Sequence, residues 1–206
     1  MVSTPRTLRT PPTAVEAPTY GTSAASLGNR ISAYVIDSVV LLGFVLAVFT
    51  LAGLVLWLSS NLGKEDPPDA AYYAFMAIFI GGTLIAWSAF NIVLALLRGQ
   101  TAGQYVAGLR ITSENGQTPS AVQTLLRWFA LNPLLFHPLL IPVWALFATM
   151  AVSLTMNQLV LVLTLGLASL CVVAPSAALI TALLDRDGRS LHDRVSGTLV
   201  TSSERQ

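Results

Sequence analysis

Asp37 is the residue whose chemistry stands out. It closes the run Arg30-Ile31-Ser32-Ala33-Tyr34-Val35-Ile36-Asp37, and no Asp, Glu, Lys or Arg follows it from Ser38 to Gly63. A charged side chain at the bilayer centre is costly, with estimates from about 2.5 to over 10 kcal/mol. Asp37 falls about 10 Å along a helix from Arg30, at ~1.5 Å per residue, which places it on the inner shoulder of the membrane core. Two chemistries fit such a group. One is a structural ion pair that locks helices together; the other is an ion or proton site. Arg30 shares a helix face with Asp37, but its side chain leans back toward the helix start and snorkels to the inner interface. The expected partner of Asp37 is therefore a base from another segment, Arg127 at the mouth of the third span.

A second polar cluster spans Asp185 to Thr198 and contains His192-Asp193. Adjacent residues do not face one way on a helix, and no second His or Cys lies nearby in sequence, so structural hydrogen bonding and contact with lipid phosphate are expected there rather than catalysis or metal binding. His137 lies in Asn132-Pro133-Leu134-Leu135-Phe136-His137-Pro138, with Pro142 beyond it. Three prolines in one span predict kinks and freed carbonyls, one of which His137 could satisfy; the alternative is a proton path with Asn91 or Asp37. Gly99-Gln100-Thr101-Ala102-Gly103 lacks the Gly-Lys-Ser/Thr element of a phosphate-binding loop, and no Gly-x-Ser-x-Gly or His-Glu-x-x-His occurs. The single cysteine, Cys171, excludes an internal disulfide and a thiolate cluster. The expectation is a protein that is not an enzyme, with no cofactor and no metal.

The elements that must position these groups follow from where charge is missing. The 206 residues are 54% hydrophobic and only 10% charged, with net charge +1. Soluble surfaces usually carry roughly 25–35% Lys, Arg, Glu and Asp. A soluble enzyme is thereby excluded, and so is a nucleic-acid partner, for which the net charge offers no field. The lipid bilayer is the expected partner. Charge is absent from 38–63, 70–97 and 128–184. A helix needs roughly 20 apolar residues to cross. The first two runs hold one span each. The third would be about 86 Å long as a single helix, so it folds back, at Ser153-Leu154-Thr155-Met156-Asn157. The fold class is an all-α integral membrane bundle of four transmembrane helices, about 31–59, 71–97, 128–151 and 158–184, with a small cytoplasmic loop and tail element; it falls to three spans if 128–184 does not cross twice.

With four spans, ten of the eleven bases lie on one side and only Lys64 on the other. The positive-inside rule then places both termini in the cytoplasm. Trp57, Tyr72 and Tyr73 suit the outer interface and Trp128 the inner one. Residues 1–29 are rich in Pro, Thr, Ser and Ala and have no apolar stretch, which predicts a disordered tail and not a cleavable signal; 202–206 form a short tail at the other end. Between spans two and three, 99–108 suits a short interfacial helix or turn, with Gly99 and Gly103 on one face for close packing. Leu109 to Thr112 reads as a strand, Asn115-Gly116 as a tight turn, and Thr118-Pro119 as the cap of a helix running into span three. Gly197 to Thr201 is a second strand, expected to pair with 109–112. Gly81-Gly82 permits a bend or tight packing in span two.

Together these segments resemble the RDD family of prokaryotic membrane proteins. Three blocks carry the resemblance: Arg30-x-x-Ala33-x-x-Ile36-Asp37; Gly99-x-Thr101-x-Gly103 through Gly108-Leu109-Arg110-Ile111, followed by Leu125-Leu126-Arg127; and Leu191-His192-Asp193-x-x-Ser196-Gly197-Thr198-x-Val200. By that match Arg30, Asp37 and Asp193 are the residues the family is named for, and Ser196 stands where alanine is frequent. What the resemblance implies is an inner-membrane protein, with cation/proton exchange among the activities attributed to members. The expected site is a charge cluster of Arg30, Asp37, Arg127, Asp193 and His192 at the inner face, with Asp37 binding a small cation or proton. A homo-oligomer is expected, because four spans make a small pore. The competing function is a non-transporting scaffold or assembly factor in which the same charges are structural.

Overall fold

A computed structural model describes residues 24–202. Four helices in it are long and apolar enough to cross a membrane. The first, α1, runs Leu27–Ser59 and is capped by Ser26, whose hydroxyl accepts from the Asn29 N–H. The second span is Asp69–Arg98. It is built from α2 (Asp69–Met76), a π-wound segment (Ala77–Ala86) and α3 (Trp87–Arg98). The wide winding contains Gly81-Gly82. A Cβ on Gly82 would sit 3.2 Å from Val48 Cγ1, so this glycine admits α1 at close range, whereas Gly81 faces open space.

The third span starts later than the charge gap suggests. The expected 128–151 helix is in fact two elements separated by a break. Helix α5 covers Ala121–Phe129 and stops, and α6 covers Ile141–Thr155 behind a short 3-10 turn, Pro138–Leu140. Pro133 and Pro138 cannot donate to a continuing helix, which forces the interruption. The cap of α5 is Ser120, two residues beyond the expected Thr118: Ser120 Oγ accepts from Gln123 N while Gln123 Oε1 accepts from Ser120 N. Val122, Leu125, Leu126 and Phe129 form an exposed apolar face on α5, and Thr124 and Arg127 point inward. A soluble helix has the opposite arrangement, so α5 suits the membrane interface. Trp128, expected in the aromatic belt, is instead buried, whereas Trp57, Tyr72 and Tyr73 are exposed at the other end.

His137 does not satisfy a freed carbonyl. Its Nδ1 accepts from the Leu139 N–H at 3.1 Å. The other ring nitrogen, Nε2, then carries the hydrogen and donates to Ser38 Oγ at 2.8 Å, and Ser38 donates to the Tyr34 carbonyl. The imidazole thus ties the break to α1, not to Asn91 or Asp37. Asn91 Nδ2 donates within its own helix, to the Trp87 carbonyl.

The hairpin between spans three and four falls where polar residues cluster. Met156 takes a left-handed conformation, and Asn157 caps α7 (Gln158–Leu184). Beyond α7 comes α8 (Leu191–Ser196), then β2 (Thr198–Ser202), which pairs antiparallel with β1 (Leu109–Ser113) in the register Ile111↔Val200. The Asn115-Gly116 turn leads out of β1, with Gly116 at positive φ. Residues 24–29, expected in the tail, take regular structure. Ala24 bridges to Thr201, Ala25 N donates to the Val200 carbonyl, and Leu27–Asn29 open α1. The rest of that tail expectation, 1–23, and residues 203–206 lie outside the described residues. Short α4 (Ala102–Val106) packs against α1 near Ala33 and Asp37.

Candidate functional site

Helices α1, α5 and α8 meet around one carboxylate, Asp193, which is 1% exposed. It sits in α8 because Ser190-x-x-Asp193 is a capping box: Ser190 N and Ser190 Oγ both donate to Asp193 Oδ2, at 3.1 and 2.6 Å. Arg127 forms an ion pair with the same carboxylate and donates to Thr198 Oγ1 at 3.0 Å. Arg30 reaches Asp193 at 3.5 Å and also donates to the carbonyls of Gly188 and Val200. Arg30 therefore does not snorkel free; it staples α1 to the α7–α8 turn and to β2. The pairing expected between Arg127 and Asp37 is not made, because Asp193 takes Arg127.

His192, also buried, lies against Ser190 with Nε2 3.1 Å from the hydroxyl oxygen. Burial first, and the cations of Arg127 and Arg30 second, hold its pKa well below the usual imidazole value. The unfolded chain would bind a proton there at about pH 6.5, while the folded chain resists it. Stability from this group is therefore complete above about pH 6.5 and declines as the pH falls below it, by up to about 1.4 kcal/mol per pH unit. Unfolding midpoints of the chain in detergent, between about pH 5 and 7.5, should fall more steeply toward acid than those of His192→Gln. Parallel profiles would contradict this.

Asp37 stands apart from that cluster. It is 3% exposed. Its Oδ2 accepts from Thr101 Oγ1 at 2.6 Å, and its Oδ1 accepts from Gly103 N at 2.7 Å. Thr101 is held in turn by a capping box with Gln104. Among the described residues no Lys or Arg is within ion-pair distance of Asp37. The close approach depends on glycine: a Cβ on Gly103 would lie 2.0 Å from the Ala33 carbonyl oxygen and 2.8 Å from Asp37 Cγ.

A cavity of about 430 Å³ joins the two sites. Arg30, Asp37, Arg127, His192 and Asp193 all line it. Its walls are otherwise largely apolar, from Leu27, Ile31 and Tyr34 on α1 and Ala178, Leu179 and Ala182 on α7. The structure thus brings together Arg30, Arg127, His192 and Asp193, and leaves Asp37 in the wall of the same cavity with different partners. Sequence reasoning missed Thr101, Ser190 and Thr198 as the groups that hold these charges. Thr101-x-x-Gln104 and Ser190-x-x-Asp193 are capping-box patterns that could have pointed to the first two. Among the described residues no group of three or more His, Cys, Asp or Glu is placed to hold a metal ion.

The sequence matches the model of the RDD family over residues 24–197, which covers Arg30, Asp37 and Asp193. The chain belongs to the RDD family. No curated protein and no solved structure matches it. In this RDD protein the arginine and the second aspartate of the three residues named above meet directly, at 3.5 Å. The first aspartate borders the same cavity and, among the described residues, pairs with neither.

Proposed function

We propose that this RDD protein is a multi-pass transporter of a prokaryotic inner membrane that exchanges a cation for a proton at Asp37. The observation that supports the reading is the state of that carboxylate. It lies on the spanning helix α1, receives two hydrogen bonds from neutral donors, and borders a cavity. Nearby Arg30 and Arg127 are committed to Asp193. A carboxylate at such depth needs a compensating positive charge or a proton, and the cavity is where either would come from. Protonated Asp37 and cation-bound Asp37 leave the site with the same charge, so one proton exchanges for one monovalent cation. In vesicles, cation-driven proton movement should fall to background in Asp37→Asn and survive in part in Asp37→Glu. Flux in Asp37→Asn equal to wild type would refute the reading.

The scaffold reading has its own support. Asp37 fastens α1 to α4, and the Asp193 cluster fastens both termini of the described chain to the loop between spans two and three. Under that reading Asp37→Asn lowers abundance and the purified wild type moves no protons.

The sorting of bases supports cytoplasmic termini. Single cysteines at Glu65 and Thr155 should label from outside whole cells, and those at Asn115 and Asp187 should not. The native Cys171 is buried and adds little background. Labelling of Asp187 from outside would reverse the assignment.

A further inference from the structure

The cavity beside Asp37 has a composition that says more than "cation". An inorganic cation is held by a shell of oxygens, about six or more for the hard divalent ions. The cavity lining has two carboxylates, Asp37 and Asp193. Asp193 is already matched by two guanidiniums. Each Asp37 oxygen already accepts one hydrogen bond. What remains is one negative charge: the polar lining residues Thr101, Gln104, Asn132, Ser176 and Ser190 already hold hydrogen bonds of their own, and the rest of the wall is largely apolar. A volume of about 430 Å³ lies in the range of sites that enclose an organic ligand, roughly 300–1,000 Å³. The Tyr34 ring lines the same space, one helical turn before Asp37, and an aromatic face attracts a desolvated cation.

The position of the cavity also matters. It lies between α1 and α7, which make little direct contact: α1 packs on the second span and on α4, and α7 packs on α6. Its lining residues Ile31 and Leu179 are also among the exposed apolar residues of those two helices, both long and apolar enough to cross a membrane. A molecule that partitions into the inner leaflet can reach Asp37 sideways without crossing water.

Resting on the exchange reading above, we infer that the cation this cavity takes at Asp37 is a lipophilic organic monocation. Its charge sits against the Asp37 carboxylate, and its apolar groups pack on Tyr34, Leu134, Pro175 and Leu179. A dication does not suit the site, since Arg30 and Arg127 stand at the inner end of the cavity and a second positive charge would face them.

The test is equilibrium binding of labelled tetraphenylphosphonium to the full chain in detergent, with proton release followed in parallel. Saturable binding is expected, with release of protons, and about tenfold or more weaker binding in Asp37→Asn. Leu179→Trp fills the rim without touching the hydrogen bonds of Asp37, and should weaken binding by a similar factor. It keeps the test decisive if Asp37→Asn does not fold. Equal binding by wild type and Leu179→Trp, or no saturable binding by a folded wild type, overturns the inference. The two readings fail separately. Sodium- or potassium-driven, Asp37-dependent proton flux without phosphonium binding removes the organic cation and keeps exchange. Asp37-dependent phosphonium binding without proton movement in vesicles keeps the binding site and removes exchange.

Discussion

Gly103→Ala should remove most of the folded protein from the membrane. A Cβ at this position meets the Ala33 carbonyl oxygen at 2.0 Å and Asp37 Cγ at 2.8 Å, and the first of these is backbone that cannot swing away. Relief requires α4 to lift off α1. That breaks the Gly103 N–H bond to Asp37 and the adjoining Thr101 bond, leaving a buried carboxylate without donors. Overpacking of a tight site costs up to about 3 kcal/mol, and an orphaned buried acceptor adds about 1–3 kcal/mol. Gly81→Ala is the control. Gly81 lies in a helical segment, and a Cβ added there meets nothing within 4 Å; alanine is favoured over glycine in helices by about 1 kcal/mol. The thermal midpoint in detergent, or the amount extracted from membranes, should drop sharply for Gly103→Ala and hold for Gly81→Ala. A Gly103→Ala protein as stable as wild type would mean that α4 does not press on α1.

Asp193→Ala should be about as damaging, by a different route. Asp193 is the shared counter-ion of Arg30 and Arg127, and it accepts both Ser190 bonds that start α8. Without it two guanidiniums converge with no anion between them, and Arg127 is itself buried. Breaking a buried ion pair by removing one partner typically costs about 3–5 kcal/mol. Asp193→Asn keeps the shape and the Ser190 acceptor but not the charge, so it should fall between Ala and wild type. Arg127→Met leaves Asp193 with Arg30 and should cost less than Asp193→Ala. The double variant Asp193→Ala with Arg127→Met should be less destabilised than the sum of the singles, as expected for residues in contact. Strict additivity would show that the pair is not formed.

Much of the fold was legible in the sequence because it depends on local or one-dimensional quantities. The charge-free runs mark the spans, since charge is excluded from the bilayer core whatever the packing. Asn115-Gly116 marks its turn because few residues accept its backbone angles. The β1–β2 pairing was legible because Leu109 and Ile111 alternate with Arg110 and Thr112, and because 198–201 is rich in the β-branched residues Thr and Val, which favour strands. The departures have equally physical origins. Trp128 to Leu140 carries no charge, so hydropathy marks it as membrane, but Pro133 and Pro138 interrupt the helix and the segment resumes only through a 3-10 turn. Thr118-Pro119 has the residue types of a cap, but Ser120 competes two residues later with a glutamine at the right spacing to answer it.

The candidate site divides along the same line. That Asp37, Arg30, Arg127 and Asp193 are out of place in so apolar a chain, and that the bases sort to one side, was readable from residue type and position alone. Which acid meets which base was not. Arg127 and Asp193 are 66 residues apart in sequence, and Asp37 and Gly103 are also 66 apart. No local pattern distinguishes Asp37 from Asp193 as the partner of Arg127. Pairing of buried charges is a competition settled by distance and desolvation, both of which exist only once the chain has closed. Residue order alone dictates a membrane protein of four spans, or three if 128–184 does not cross twice, with a scarce, sorted set of charges. Closure of the chain gives both arginines to Asp193, and leaves Asp37 in the wall of a cavity without a base among the described residues.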